Sequence, residues 1–180
     1  MDKKDARNLI KERRMNLSTE YIDTASDKIF EKLLENEDFK NAKVIMSYMD
    51  FKNEVKTDKI NDYIKKAGKT LVLPKVITKE KMIAIEDKNK YIVSPFGNSE
   101  PDGEEYIGEI DLIITPGVAF DREKNRVGFG RGYYDRFFAI HKNSKKIAIA
   151  FEKQIIEEGI ETTEYDMKVD TLMTEDNIIN

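Results

Sequence analysis

Apolar positions recur at three- and four-residue spacing in some stretches of the chain and crowd into short runs in others, which predicts helices interleaved with strands. Lys3 to Met15 reads as a mostly polar helix with few apolar positions, Ala6, Leu9 and Ile10. Ser18 is placed to cap a second helix running to about Glu35, whose Ile22, Ala25, Ile29, Phe30, Leu33 and Leu34 fall on one face. Val44 to Met49 is an apolar run of strand length. Thr57 to Ala67 is a third helix, with Ile60, Tyr63, Ile64 and Ala67 on one face and Gly68 where a helix C′ residue is expected. Leu71 to Leu73 predicts a strand stopped by Pro74. Met82–Ile85 and Tyr91–Val93 predict two strands joined at Asp87–Asn89 as a hairpin. The stretch from Ser94 to Gly108, punctuated by Pro95, Gly97, Pro101 and Gly103, predicts a long irregular loop. Asp111 to Thr115 is the clearest buried strand, ended by Pro116–Gly117. A helix over Tyr133 to His141 and strands at Lys146–Phe151 and Val169–Met173 complete the pattern. The alternation predicts an α/β fold in a single domain, residues 1–180: a mainly parallel twisted sheet, helices on both faces and a small antiparallel hairpin.

Composition narrows the chemistry. At 39% hydrophobic and 37% charged, the chain has a heavily charged surface, and its organised apolar runs argue against disorder. A net charge of −4 argues against a nucleic-acid partner bound through overall positive potential. With no cysteine, thiolate catalysis, disulfides and Cys-based metal sites are excluded. The one histidine, His141, leaves no His-rich metal site, argues against a Ser-His-Asp triad, and reads as a charge at its helix C-terminus. The charged opening from Met1 to Arg14 is unlike a secretory signal, and no apolar run approaches the ~20 residues of a membrane span, so a cytoplasmic protein with no membrane partner is expected.

The densest chemistry lies at Asp111-Leu-Ile-Ile-Thr-Pro-Gly-Val-Ala-Phe-Asp121, followed by Arg126-Val-Gly-Phe-Gly-Arg-Gly-Tyr-Tyr-Asp135. A buried strand feeds a loop with glycines at 128, 130 and 132, and a helix starts directly after it. Alternate glycines allow positive φ and close approach of backbone N–H groups to a ligand, and the helix N-terminus adds unpaired N–H groups. Arg126 and Arg131 add forked cationic donors suited to phosphate oxygens. These parts describe a polyphosphate cradle, with a glycine spacing that fits neither the P-loop nor the dinucleotide fingerprint. The competing role is a tight strand-to-helix turn. Asp135 also admits two roles, a carboxylate favoured by the helix dipole or a Mg²⁺ ligand, and on residue chemistry alone the structural one stands ahead.

Pro-Gly-x-x-Phe-Asp followed by Arg-x-Gly-x-Gly-x-Gly-Tyr-Tyr-Asp resembles the hallmark of the 5-formyltetrahydrofolate cyclo-ligase (methenyltetrahydrofolate synthetase) family. Lys3-Lys4-x-x-Arg7, Glu54-Val55-x-Thr57 and Asp166-Met-Lys-Val-Asp170 match further family elements in the same order, so the resemblance spans the chain. Ala6 stands where leucine is common, and Phe129 and Arg131 occupy variable loop positions.

The resemblance implies conversion of 5-formyltetrahydrofolate and ATP to 5,10-methenyltetrahydrofolate, ADP and phosphate with Mg²⁺, through a phosphorylated formyl group, on a monomer or weak dimer. It implies ATP binding by Lys3, Lys4, Arg7, Arg126, Gly128, Phe129, Gly130, Arg131, Gly132, Tyr133 and Tyr134, with Arg126, Arg131 and Tyr133 serving catalysis. It implies metal binding by Asp135 and Asp166, and a folate site at Met49, Glu54, Pro74, Phe96, Glu100 and Tyr133. Phosphoryl transfer needs positioning and charge neutralisation more than covalent help, which suits a chain rich in basic residues and lacking thiols. Two rivals remain open: a small kinase acting on another metabolite, and a non-catalytic nucleotide- or folate-binding module on the same fold.

Overall fold

Successive residues of the central strands serve opposite sides of one sheet, as the period of two requires. In the computed structural model, which describes residues 1–95 and 97–180, Leu112 and Ile114 of β6 (Leu112–Thr115) face one layer while Ile113 faces the other. Ile147 and Ile149 of β9 (Lys145–Ile149) alternate with Ala148 in the same way. Among the described residues, seven strands build this sheet in the order β12-β11-β9-β6-β1-β2-β3. The others are β1 (Val44–Met46), β2 (Thr70–Val76), β3 (Met82–Glu86), β11 (Thr171–Met173) and β12 (Ile178–Ile179). The five inner strands run parallel, and the edge strands β3 and β12 are antiparallel to their neighbours.

Helices α2 (Thr19–Glu35), α3 (Glu37–Asn41) and α4 (Asp58–Lys66) cover one face, burying Ile22, Ile29, Leu33, Phe39, Ile60 and Ile64 against the strands. Ser18 caps α2 as its sequence predicts, its side chain accepting from Tyr21 N. α5 (Tyr133–Ile140) covers the other face with Phe137 and Phe138. α1 (Lys3–Met15) instead packs Ala6 and Ile10 on a small sheet of β10 (Ile155–Ile156), β7 (Ala119–Asp121) and β8 (Arg126–Val127). Strands of two or three residues are too short to carry a periodicity, so sequence pattern predicts none of these three.

Two strand expectations change. Pro74 does not stop β2, which continues to Val76. Ser47 N donates to Val72 O, whereas Leu71 O accepts from Asp87 N, so even-numbered positions of β2 face β1 and odd-numbered ones face β3. Beyond Val72, β1 has left the sheet, and the missing Pro74 N–H falls on that open side. Nor do Met82–Glu86 and Tyr91–Val93 pair with each other. β3 pairs with β2, while β4 (Tyr91–Val93) pairs with β5 (Ser99–Pro101), which lies inside the stretch expected to be irregular.

β1 leads through α4 to β2 on one side, whereas β6 and β9 lie on the other. The direction of winding therefore reverses between β1 and β6, and a crevice opens beyond the carboxyl ends of these strands. Asp121, only 2% exposed, braces the segment entering it. Its carboxylate accepts from the N–H groups of Glu123, Asn125 and Ile160 and from Asn125 Nδ2, at 2.8–3.0 Å. Asp121→Ala strands these buried donors and is expected to cost about 2–3 kcal/mol in chemical denaturation, whereas an exposed neighbour such as Glu123→Ala should cost under about 0.5 kcal/mol.

Candidate active site

Arg126 opens β8 beside a cleft of about 330 Å³ lined by Lys3, Arg7, the loop from Arg126 to Gly132, Tyr133, Asp135 and Asp166. The residue is 6% exposed, and its guanidinium donates to Asp135 Oδ2 at 3.1 Å and lies 5.3 Å and 5.7 Å from the ring centroids of Tyr134 and Phe138. Arg126 Nε is buried with no hydrogen-bond partner, an unsatisfied cationic donor beside the cleft. The three glycines serve two purposes. Gly130 and Gly132 adopt φ of 98° and 66°, which L side chains rarely adopt. At Gly128 the reason is space, since a Cβ would lie 2.9 Å from Arg126 Nη1. Gly128 O also accepts from Arg7 Nε at 2.8 Å, tying α1 to the loop. In α5 the first intrahelical bond is Arg136 N to Gly132 O, so the N–H groups of Tyr133, Tyr134 and Asp135 stay free at the positive end of the helix.

A second pocket of about 540 Å³ adjoins the first at the switch point. Its walls include Tyr48, Met49, Phe51, Leu73, Pro74 and Met82, with Arg14, Lys52, Glu54 and Glu100 as charged groups. Glu54 Oε2 accepts from Phe51 N at 2.9 Å. Burial pushes the Glu54 carboxyl above the usual carboxylate range, partly countered by that bond and by Arg14. Burial raises Glu100 as well, against the pull of Lys75. Pro116, Phe129, Tyr133 and Tyr134 line both spaces, so a cationic cleft and an apolar pocket share one wall. Phe129 is 69% exposed on that wall, an aromatic face open to ligands on either side.

The model of the 5-formyltetrahydrofolate cyclo-ligase family matches residues 1–175. The chain belongs to this family. It is an enzyme of the 5-formyltetrahydrofolate cyclo-ligase class. The mouse 5-formyltetrahydrofolate cyclo-ligase is 31% identical, over 97% of this chain and 94% of the mouse protein. The Mycoplasma pneumoniae protein of that name is 33% identical, over 86% of this chain and 88% of its own length. The NMR structure of 5,10-methenyltetrahydrofolate synthetase from Aquifex aeolicus superimposes with a TM-score of 0.84 at 35% identity, covering 98% of this chain and 91% of that one. The 5,10-methenyltetrahydrofolate synthetase structure from M. pneumoniae gives a TM-score of 0.78 at 29% identity, covering 97% and 99%.

Most residues singled out by the cyclo-ligase resemblance converge. Lys3, Arg7, Arg126, Gly128, Phe129, Gly130, Arg131, Gly132, Tyr133, Tyr134, Asp135 and Asp166 line the cationic cleft, with the Arg131 side chain exposed at its lip. Met49, Glu54, Pro74, Glu100 and Tyr133 line the adjoining pocket. Lys4 departs from the expectation. Lys3 and Arg7 are four apart and share a helix face, whereas Lys4 is rotated by about 100° and lies exposed outside the cleft. Phe96 lies outside the described residues. His141 sits at the C-cap of α5 and stacks on Phe137 at 4.2 Å between centroids. Burial lowers its pKa, so it is neutral at pH 7 rather than a helix-end charge. Sequence reasoning passed over Arg14 and Tyr48. Arg14 looks like one more base at a helix end, but its spacing of seven from Arg7 puts it on the same face.

The Mg²⁺ that the sequence resemblance implies can be set against the carboxylates present. Asp135 and Asp166 line one cleft and offer hard oxygen donors, and each already faces a base, Arg126 and Lys3. Burial pushes Asp166 upward, but the hydrogen bonds from Lys3 and Thr163 outweigh it and hold its carboxyl below the usual range. Two carboxylates lining one cleft are the hard oxygen donors that Mg²⁺ takes, with water and phosphate oxygens completing its shell.

Proposed function

We propose that the protein uses ATP to convert 5-formyltetrahydrofolate to 5,10-methenyltetrahydrofolate, releasing ADP and phosphate. What carries this reading is the shared wall of Pro116, Phe129, Tyr133 and Tyr134, which sets a cationic cleft beside a largely apolar pocket that holds Glu54 and Glu100. Triphosphate oxygens would meet Lys3, Arg7 and the free N–H groups at the start of α5, with Arg126 and Arg131 on the transferring phosphoryl group. Glu54 would accept two parallel hydrogen bonds from the N–H and NH₂ edge of the pterin, with Met49 and Pro74 against its faces. Tyr133, on the shared wall, would contact both substrates.

In the first step the formyl oxygen bonds to the γ-phosphorus as the β–γ bridge breaks, giving ADP and a formyl group phosphorylated on its oxygen. N10 then bonds to that carbon, the carbon–oxygen bond to phosphate breaks, and the N10 proton leaves with the phosphate. The chain aligns the reactants and neutralises charge on the phosphoryl oxygens, while the apolar walls keep water from the activated carbon. Asp135 and Asp166 would hold Mg²⁺, which supplies charge neutralisation at the phosphates.

Mixing the protein with ATP, Mg²⁺ and 5-formyltetrahydrofolate should generate the methenyl chromophore with one ADP per product. Tight ATP binding without the chromophore would overturn the folate assignment. Asp135→Asn keeps the shape and removes the charge. It is expected to lower turnover about 10- to 100-fold and raise the Mg²⁺ concentration needed for half-activity, with folate binding changed less than about threefold. Unchanged magnesium dependence would remove Asp135 from the metal site.

A further inference from the structure

Helix α1 touches both halves of the site. Lys3 and Arg7 line the cationic cleft, and Arg14, about 10 Å beyond Arg7 along the axis at 1.5 Å per residue, lines the apolar pocket. At that end the helix is locked to the turn carrying Glu54 by a reciprocal pair of hydrogen bonds. Arg14 Nε donates to Asn53 O at 3.1 Å, and Asn53 Nδ2 donates to Arg14 O at 2.9 Å. The adjacent residue is Glu54, whose carboxylate folds back onto Phe51 N. Lys52, in the middle of this turn, has a φ of 53°, so the turn is held in a conformation that a side-chain-bearing residue rarely adopts.

We propose that Arg14 is a positioning residue for folate recognition: it clamps the 51–54 turn to α1 and holds the Glu54 carboxyl group in place in the pocket. This rests on the folate reading of that pocket. The Nε–H is used on the backbone of Asn53, and the two terminal nitrogens remain for the electrostatic field of the pocket. Charged and titratable groups acting on Glu54 come from every side: Arg14 from α1, Tyr48 beyond β1, Asp50 and Lys56 from the flanking loop, and Tyr134 from α5. Tyr48 and Tyr134 are themselves pushed upward by burial and stay neutral at physiological pH. Asp50 is bonded to Lys56 and Thr57, which leaves Arg14 as the strongest cationic influence on Glu54. Burial favours the neutral carboxyl, so removing Arg14 shifts Glu54 further toward protonation. A protonated Glu54 cannot accept both bonds from the pterin edge.

The test is equilibrium binding of 5-formyltetrahydrofolate without ATP, from about pH 5 to about pH 8, to the wild type, Arg14→Met, Arg14→Lys, Glu54→Gln and the Arg14→Met/Glu54→Gln double variant. Arg14→Met is expected to weaken binding about tenfold at the alkaline end and more at the acid end, with the acid limb moved to higher pH. Arg14→Lys should return the limb toward its wild-type position without full affinity, because the Nε–H bond to Asn53 O is lost. ATP affinity should stay within about twofold, and the double variant should bind no more weakly than Glu54→Gln alone. A uniform loss at all pH values, or full additivity with Glu54→Gln, would overturn the role of Arg14. Wild-type folate affinity in Glu54→Gln would instead overturn the reading of the pocket itself. Arg14→Lys keeps the charge and helix propensity, so it reports even if Arg14→Met is unstable.

Discussion

Arg126→Met is expected to lower kcat/KM by about 10³- to 10⁴-fold, because it removes a buried, pre-aimed cation from the oxygens on which charge accumulates during phosphoryl transfer. Three contacts fix the guanidinium before any substrate arrives: the bond to Asp135 and the rings of Tyr134 and Phe138. A group already oriented needs no reorganisation in the transition state, and burial strengthens its field. Arg126→Lys should recover less than about tenfold of the loss, since a single ammonium cannot reach Asp135 and the phosphate as a planar fork does. An anion in the cleft gains the field of the Arg126 guanidinium, so phosphate or ADP should raise the Tm of the wild type more than that of Arg126→Met. Losing the partner of Asp135 also lowers the stability of the variant, and folate binding at a temperature well below its melt separates the two effects. Turnover within about tenfold of wild type would remove Arg126 from the chemistry.

Glu54→Gln is expected to raise the KM for 5-formyltetrahydrofolate about 100-fold, leave ATP affinity unchanged and make the free protein more stable. An amide offers one acceptor and places its NH₂ against a pterin donor, so a paired edge becomes a mismatched one. The stability sign follows from the raised carboxyl. Folded Glu54 holds its proton to higher pH than the unfolded chain does, so stability falls as pH rises from the usual carboxylate range through the raised folded value. The glutamine variant lacks that loss. Its Tm should exceed the wild type by about 2 °C near pH 8 and by less near pH 5. A lower Tm at pH 8 would mean that Glu54 braces the turn rather than standing ready for a ligand.

Pattern alone located much of this molecule because long amphipathic helices and buried strands repeat their signal over many residues. Lys3–Met15, Ser18 as a cap and the strand ending at Thr115 are such cases. The sheet order was not legible, since a strand's neighbours depend on contacts far away in sequence. Hence Tyr91–Val93 pairs with Ser99–Pro101 and not with Met82–Glu86, and Pro74 passes through a strand whose other side is empty at that point. The strands of the small sheet are shorter than any period they could display.

The active site divides along the same line. By itself the sequence marked the Arg126–Asp135 loop as a candidate phosphate cradle, because the glycines, arginines and following helix are local and their spacing is visible in the chain. Through its resemblance it also pointed to Glu54 and Asp166 as partners. Only the tertiary structure decided that Gly128 is there for space and the other two loop glycines for φ, that Lys4 turns away, and that Arg14 joins the pocket. Those outcomes depend on how α1 packs against β7, β8 and β10, which sets which helix face looks into the crevice. Local spacing defines what a segment can bind; the packing of distant segments defines what it meets.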